Sequence, residues 1–251
     1  MTAVTGLRAR VRAELIQEIK DEARRQVAEA GAPALSLRAI ARQLGMVSSG
    51  IYRYFPSRDS LLTALIIDAY DAVGAGAESA DAACERGDFA RRWGAACHAV
   101  RSWALEHPHE YALVYGSPVP GYRAPEDTIG PASRVASVLA SVLQDAAVSG
   151  ALGNPFLPEY SPALSKAAAA EAARVGSTAL QGVPDDVIIR GLVAWTQLFG
   201  AVSFELFGHF VGVVEDADAF FEQAVTDIGA FVGFATSNTP PRRRKSSGPT
   251  R

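Results

Sequence analysis

Apolar residues recur at helical spacing along nearly all of the 251-residue chain, and no segment shows the apolar–polar alternation of a half-buried strand. The first instance sets the pattern. Between Arg8 and Ala30, Val11, Leu15, Ile19, Ala23 and Val27 stand four residues apart with charges between them, the stripe of a long amphipathic helix. Gly31 and Pro33 end it. Ser36 then caps a second helix whose stripe is Leu37, Ile40, Ala41 and Leu44, and Gly45 stands where the chain must turn. Val47 to Phe55 reads as a further short helix closed by Pro56. Ser57 caps a fourth, which carries Leu61, Leu62, Leu65 and Ile66. The fold class that follows is all-α.

From about Asp71 the chain becomes an Ala-rich helical body. The spacing predicts helices over 88–106, in "HEYALVYG", over 129–151, near 165–175, from Pro184 through "FELFG", and over 216–234. Pro- and Gly-rich breaks separate them. This divides the chain into a head at 8–68, a larger helical domain at 72–236 and a Pro-, Ser- and Arg-rich tail at 237–251 that is expected to be disordered.

Net charge is −3, but it is unevenly placed. Residues 1–66 hold ten Lys or Arg against six Asp or Glu, residues 67–241 hold nine against 21, and residues 242–251 hold five against none. A basic head, an acidic body and a basic tail point to a polyanion at the ends. Two cysteines, Cys84 and Cys97, are too few for a disulfide framework or a Cys-rich metal site. The N-terminus has no apolar signal core, so a cytoplasmic, nucleoid-associated chain is expected. The longest uncharged apolar stretch, Gly191 to Phe204, falls short of the roughly 18–20 residues that span a bilayer, so no membrane partner is expected. Enzyme motifs are missing: there is no G-x-S-x-G, no loop ending in GK[ST] and no H-E-x-x-H. "GAGAES" at Gly74 half-matches a dinucleotide loop but lacks its third Gly and preceding strand. "HPHE", with His98 nearby, fits a helix break better than a metal site. No cofactor and no metal is implied.

The segment from Leu37 to Ser49 reads as helix, tight turn, helix, the layout whose second helix enters the DNA major groove. Ser48, Ser49 and Gly50 are small enough to let a backbone approach base edges. Tyr52 and Tyr54 carry hydroxyl donors, and Arg38, Arg53 and Arg58 carry charge. By composition alone an ordinary helical hairpin fits as well, so a helical small-molecule-binding or scaffold protein without sequence-specific DNA binding stays open.

The order of residues goes further. "LRAIARQLGMVSSGIYRYFPSRDSLL" resembles the DNA-binding segment of the TetR family of bacterial transcriptional regulators. Ile40, Ala41, Gly45, Ile51, Tyr52, Tyr54, Phe55 and Leu61 stand at the family's positions, with Arg58 at its usual Lys. Met46 and Val47 replace the usual Val-Ser, so the capping hydroxyl passes to Ser48. The resemblance implies that Ser48 and Ser49 reach bases, that Tyr52, Tyr54 and Arg58 hold phosphates, and that Ser36 or Arg38 touches the DNA backbone, with Arg53 beside them. Ile40, Ile51 and Phe55 are core. "AWTQLFGAVSFELFGHF" is similar to the helix of the family's WHG-type C-terminal domain, with Trp195 and Gly200 in place and Phe199 at the usual His. This implies a homodimer through the last two helices, a small-molecule effector inside the body and a palindromic double-stranded DNA operator, with repression the usual mode. Trp103, Tyr111, Tyr115, Trp195 and Phe199 are the candidate effector-lining residues. Leu198 is a candidate position at which a charge should break the dimer.

Overall fold

The computed structural model describes residues 2–153 and 183–234, with 166–168, 170, 171, 173, 174 and 180 between them. The tail at 237–251 lies outside the described residues, as do 165, 169, 172 and 175 of the helix expected near 165–175; the described residues of that helix are helical. Regular structure among the described residues is helical: α1 (Thr2–Ala30), α2 (Leu37–Gln43), α3 (Ser48–Ile51), α4 (Arg58–Ala82), α5 (Phe89–Glu106), α6 (Pro108–Tyr115), α7 (Ile129–Val148), α8 (Asp185–Leu206) and α9 (Ala217–Val232).

Local chemistry sets most of these starts. Ser36 Oγ accepts the Ala39 amide, and Ser57 and Ser60 close a reciprocal capping box before α4. Asp88 and Asp216 accept the Arg91 and Ala219 amides at the heads of α5 and α9. Pro184 precedes α8, with Asp185 and Asp186 in its first turn, where the helix dipole favours negative charge. His107 ends α5 and begins α6 at once, with Pro108 in the first turn, where its missing N–H has no helical partner to lose.

α4 is the shared element. Its first half buries Leu61, Leu62, Leu65 and Ile66 in a core with Ile19, Ala23 and Val27 of α1, Ile40 of α2, Ile51 of α3 and Phe55. Its second half buries Ala69, Val73 and Ala77 in a separate core formed with α5, α7, α8 and α9. The helix runs unbroken across the head–body division. "GAGAES" is therefore mid-helix, and Gly74 has a packing reason: a Cβ there would stand 2.6 Å from Cβ of Arg134 on α7. Arg134 straddles that contact, pairing with Asp71 at 2.8 Å and Glu78 at 2.6 Å.

Three expectations need correction. Val11 is 54% exposed, because the head's core begins only at Leu15 and Ile16 and leaves nothing for Val11 to pack against. α8 is longer than its uncharged stretch suggests; α4 and α8 are both long and apolar enough to cross a membrane by length and composition. Their apolar sides line cores instead: Val187, Ile188, Ala194, Leu198 and Val202 of α8 are buried within the body. Leu198, only 1% exposed, thus belongs to the interior of one subunit, and a charge there reports on folding rather than pairing.

Candidate nucleic-acid interface

The turn between α2 and α3 is built on Gly45, whose φ of +65° is a left-handed value that side chains resist. No atom lies within 4 Å of the place a Cβ would take, so the backbone angle, not space, calls for glycine. The Met46 amide donates to the Ala41 carbonyl at 2.8 Å and closes the turn. α3 follows at once and is short. Val47 is its cap residue and offers no side-chain bond, so the hydroxyl cap expected from Ser48 is absent; Ser48 is already the first helical residue. Tyr52 to Tyr54 continue as a turn rather than as α-helix, held by the Tyr54 and Phe55 amides on the Ile51 carbonyl at 2.9 and 3.0 Å.

This segment separates two sets of side chains. Ile51 and Phe55 are buried in the head's core, while Ser48, Ser49, Tyr52 and Arg53 face solvent. Tyr54 is half-buried, and the Arg12 guanidinium stands 4.9 Å over its ring. Arg12 also donates to the Arg53 carbonyl at 3.4 Å. Arg38 is exposed on α2, and Ser36 uses its oxygen on the Ala39 amide while its own amide donates to Gln26. Arg58 differs from the sequence reading. Its Nη2 donates to the Ala32 carbonyl at 2.8 Å, its Nη1 lies 3.2 Å from Asp59, and its Nε is buried without a partner. It fastens the turn after α1 to the start of α4 and has little of its guanidinium left to turn outward. Arg12 and the exposed Arg42 carry no mark in the motif; Arg12 reaches the site across 41 positions of sequence.

The head is tied to the body by charge. Asp68 on α4 accepts Lys20 at 2.8 Å and Arg24 at 2.7 Å, and Arg24 Nε reaches Glu110 on α6 at 2.9 Å. His107 Nδ1 stands 2.9 Å from the other oxygen of Glu110. The loop after α6 adds Tyr122, whose hydroxyl meets Thr63 of α4 at 2.8 Å.

The five aromatic residues expected to line one effector cavity do not share one. Tyr111 is fully buried, and its hydroxyl is bonded to Ser203 at 2.8 Å and to the Phe199 carbonyl at 3.2 Å. Tyr115 stacks on Phe199 at 4.3 Å and lines a cleft of about 1030 Å³ between head and body, with Val27, Ala32, His109, Ser203 and Phe207 among the other walls. Trp195 is 40% exposed and borders a different, apolar pocket of about 320 Å³ between α7 and α8. Trp103 is buried against His107 and is a wall of neither. Burial pushes the Tyr115 phenol well above its ordinary value, helped by Tyr70 and Tyr111 beside it, and burial alone does the same to the Cys97 thiol. Both groups stay protonated at neutral pH, which removes them as nucleophiles.

Comparison with known proteins agrees with the all-helical fold and its N-terminal helix-turn-helix. The family model described as bacterial regulatory proteins, tetR family, matches residues 19–65, and the tetracyclin repressor-like C-terminal domain matches residues 93–228. HTH-type transcriptional regulator Rv1816 of Mycobacterium tuberculosis is 38% identical over 231 residues, covering 86% of this chain and 94% of that protein. The same figures hold for HTH-type transcriptional regulator Mb1846 of Mycobacterium bovis. A crystal structure of a presumed regulatory protein, SCO4313, is 35% identical with a TM-score of 0.70, covering 88% of this chain and 97% of that one. A TetR family transcription regulator from Marinobacter aquaeolei shares the fold, with a TM-score of 0.59 at 18% identity over 88% of this chain and 96% of that one.

Proposed function

The chain belongs to the TetR family of DNA-binding transcriptional regulators and is not an enzyme; from that premise we propose that it is a homodimeric repressor that a small-molecule effector releases from a palindromic operator. One observation carries the reading. Gly45 turns the chain so that Ile51 and Phe55 enter the core while Ser48 and Ser49 stay exposed at the front of α3. Small side chains there suit close approach to base edges in the major groove. Tyr52, Arg53 and Tyr54, just behind them, suit phosphate oxygens, with Ser36 and Arg38 at the start of α2. Arg58 serves that interface by holding the turn after α1.

The dimer reading rests on α8 and α9. Trp195, Phe204 and Phe220 are 40–53% exposed, and Phe204, Phe210, Phe220 and Phe231 border an apolar groove of about 540 Å³. Such a surface suits a second copy of the same two helices around a two-fold axis. The effector reading rests on the cleft between head and body. Its walls are mostly apolar, with Tyr115, His109, Ser117 and Ser203 as the polar side chains, which suits a neutral, partly apolar molecule. An occupant there touches head and body together and favours one relative placement of the two.

The test is selection from random duplexes with the purified protein, followed by a compound screen for release. Recovery of a palindrome and release by an apolar compound support the proposal. Failure to enrich any sequence refutes the DNA reading. A monomer by light scattering at micromolar concentration, or Phe204→Arg leaving a dimer intact, refutes the interface.

A further inference from the structure

α1 is longer than its core needs. The first residues of the helix to pack on the head are Leu15 and Ile16, and every described side chain from Arg8 to Glu14 is exposed. The helix nevertheless begins at Thr2, ten residues before Arg12, so it projects about 15 Å past the contact with Tyr54 at 1.5 Å per residue. A solvated helix of that length gains little stability by itself in water.

The direction of the projecting arginines is informative. Arg12 lies seven residues before the buried Ile19, and Arg8 lies eleven before it. At about 100° per residue both fall within about 20° of Ile19 on the helix wheel. The face that is apolar and buried at Ile19, Ala23 and Val27 becomes Arg12 and Arg8 upstream. Arg10 lies nine residues before Ile19, about 180° away.

The charges along α1 are also sorted. Lys20, Arg24 and Arg25 are each paired with carboxylates, through Asp68, Glu110, Asp21, Glu22 and Glu29. Among the described residues Arg8 has no hydrogen-bond or ion-pair partner, and Arg12 contacts only the Tyr54 ring and the Arg53 carbonyl. Cations on the body side are neutralised within the protein. Those beside the reading segment are not.

We propose that the projecting part of α1 is a second DNA-contacting element, in which Arg8, continuing the face that Arg12 lays on Tyr54, grips phosphates in the duplex flanking the sequence read by α3. The inference rests on the proposed docking of α3. Arg12 acts as a positioning residue, fixing the projection against Tyr54 and Arg53. Arg8 neutralises phosphate without reading bases, so it adds affinity and salt dependence but no sequence preference.

The experiment compares two duplexes carrying the selected palindrome, one ending at its edges and one extended by about ten base pairs on each side, one helical turn. Wild type, Arg8→Ala and Arg10→Ala are titrated with each over a range of salt. Alanine is the strongest helix former, and Arg8 is exposed, so the variant keeps its helix and its fold. For the wild type, the extended duplex should bind more tightly and with the steeper salt dependence. Arg8→Ala should flatten the slope of log K on log salt by about 1.8 on the extended duplex, about 0.9 for one phosphate in each of two subunits, and leave the short duplex unchanged. Arg10→Ala should leave both unchanged. If Arg8→Ala matches wild type on the extended duplex, the inference is wrong while the α3 reading stands. If Arg10→Ala matches Arg8→Ala, the effect is unspecific charge and the inference is wrong. If wild type selects no sequence at all, the docking of α3 fails and this inference falls with it.

Discussion

Arg24 Nε and Glu110 Oε1 stand 2.9 Å apart, an ion pair that joins the first helix of the head to α6 of the body. Glu110 also receives His107, and Arg24 also holds Asp68 on α4. The group is about three-quarters buried, between an exposed pair of little worth and a buried one. Glu110→Gln keeps the shape and removes the charge. It should lower unfolding free energy by about 1 kcal/mol at low salt, with the loss shrinking as salt screens the wild-type pair. Urea titrations at two salt concentrations measure this; a loss independent of salt contradicts it.

Gly45 stands at φ +65° with open space around its Cα. Gly45→Ala should therefore act through the backbone alone and destabilise the head by about 1–2 kcal/mol. Asn tolerates the left-handed region better, so Gly45→Asn should recover part of that loss. Thermal unfolding of both variants decides it; an equal loss for Asn and Ala contradicts the backbone account.

Ser49→Ala in a folded dimer should relax preference at one or two symmetric base positions, by about 1–3 kcal/mol at each. Tyr54→Phe should weaken every duplex together, because a phosphate contact carries no sequence information. Selection from random duplexes with each variant separates the two effects. Identical selected sequences from wild type and Ser49→Ala contradict the assignment of Ser49.

Arg92 is fully buried between Asp81 and Asp145, both at 2.7 Å. Burial pushes the Asp81 carboxyl up, but hydrogen bonds from Arg92 and Arg86 outweigh it and hold the carboxyl below its usual 3.8. A carboxyl with a lowered folded value adds stability that is whole above about pH 4 and is lost as pH falls through that lower value. Arg92→Ala leaves Asp81 largely buried and without its main partner, at about 3–5 kcal/mol near neutral pH. The difference from wild type should narrow as pH falls into the acid range and Asp81 protonates, first in the variant and then, at its lower value, in the wild type. Denaturant titrations across that range test it; a constant difference shows that Arg92 acts by packing alone.

What the sequence revealed was local. Ser36 and Ser57 cap helices through bonds that span three residues, so their roles are visible without the fold. Gly45 is legible for the same reason, and the exposed Ser48 and Ser49 follow from it. The unread features depend on distant partners. Arg58 sits at a position suited to phosphate, but the Ala32 carbonyl, 26 residues away, draws it inward. Tyr111 has the composition of a ligand contact, yet Ser203, 92 residues on, satisfies its hydroxyl. Gly74 and Gly76 half-match a dinucleotide loop in a segment that is uninterrupted helix, because the reason for Gly74 is the flank of Arg134.

The unbroken α4 has a consequence for recombination. A hybrid regulator that joins this head to another body must be cut inside one helix, between Ile66 of the first core and Ala69 of the second. A single residue inserted there turns everything downstream by about 100° and shifts it by about 1.5 Å. In the proposed dimer, grafts that keep the helical phase would preserve the angle between the two copies of α3, and grafts one residue out of phase would aim them at different faces of the duplex. On the proposed dimer, the half-site spacing of such a hybrid would thus be written in the length of a helix that lines no part of the cleft between head and body.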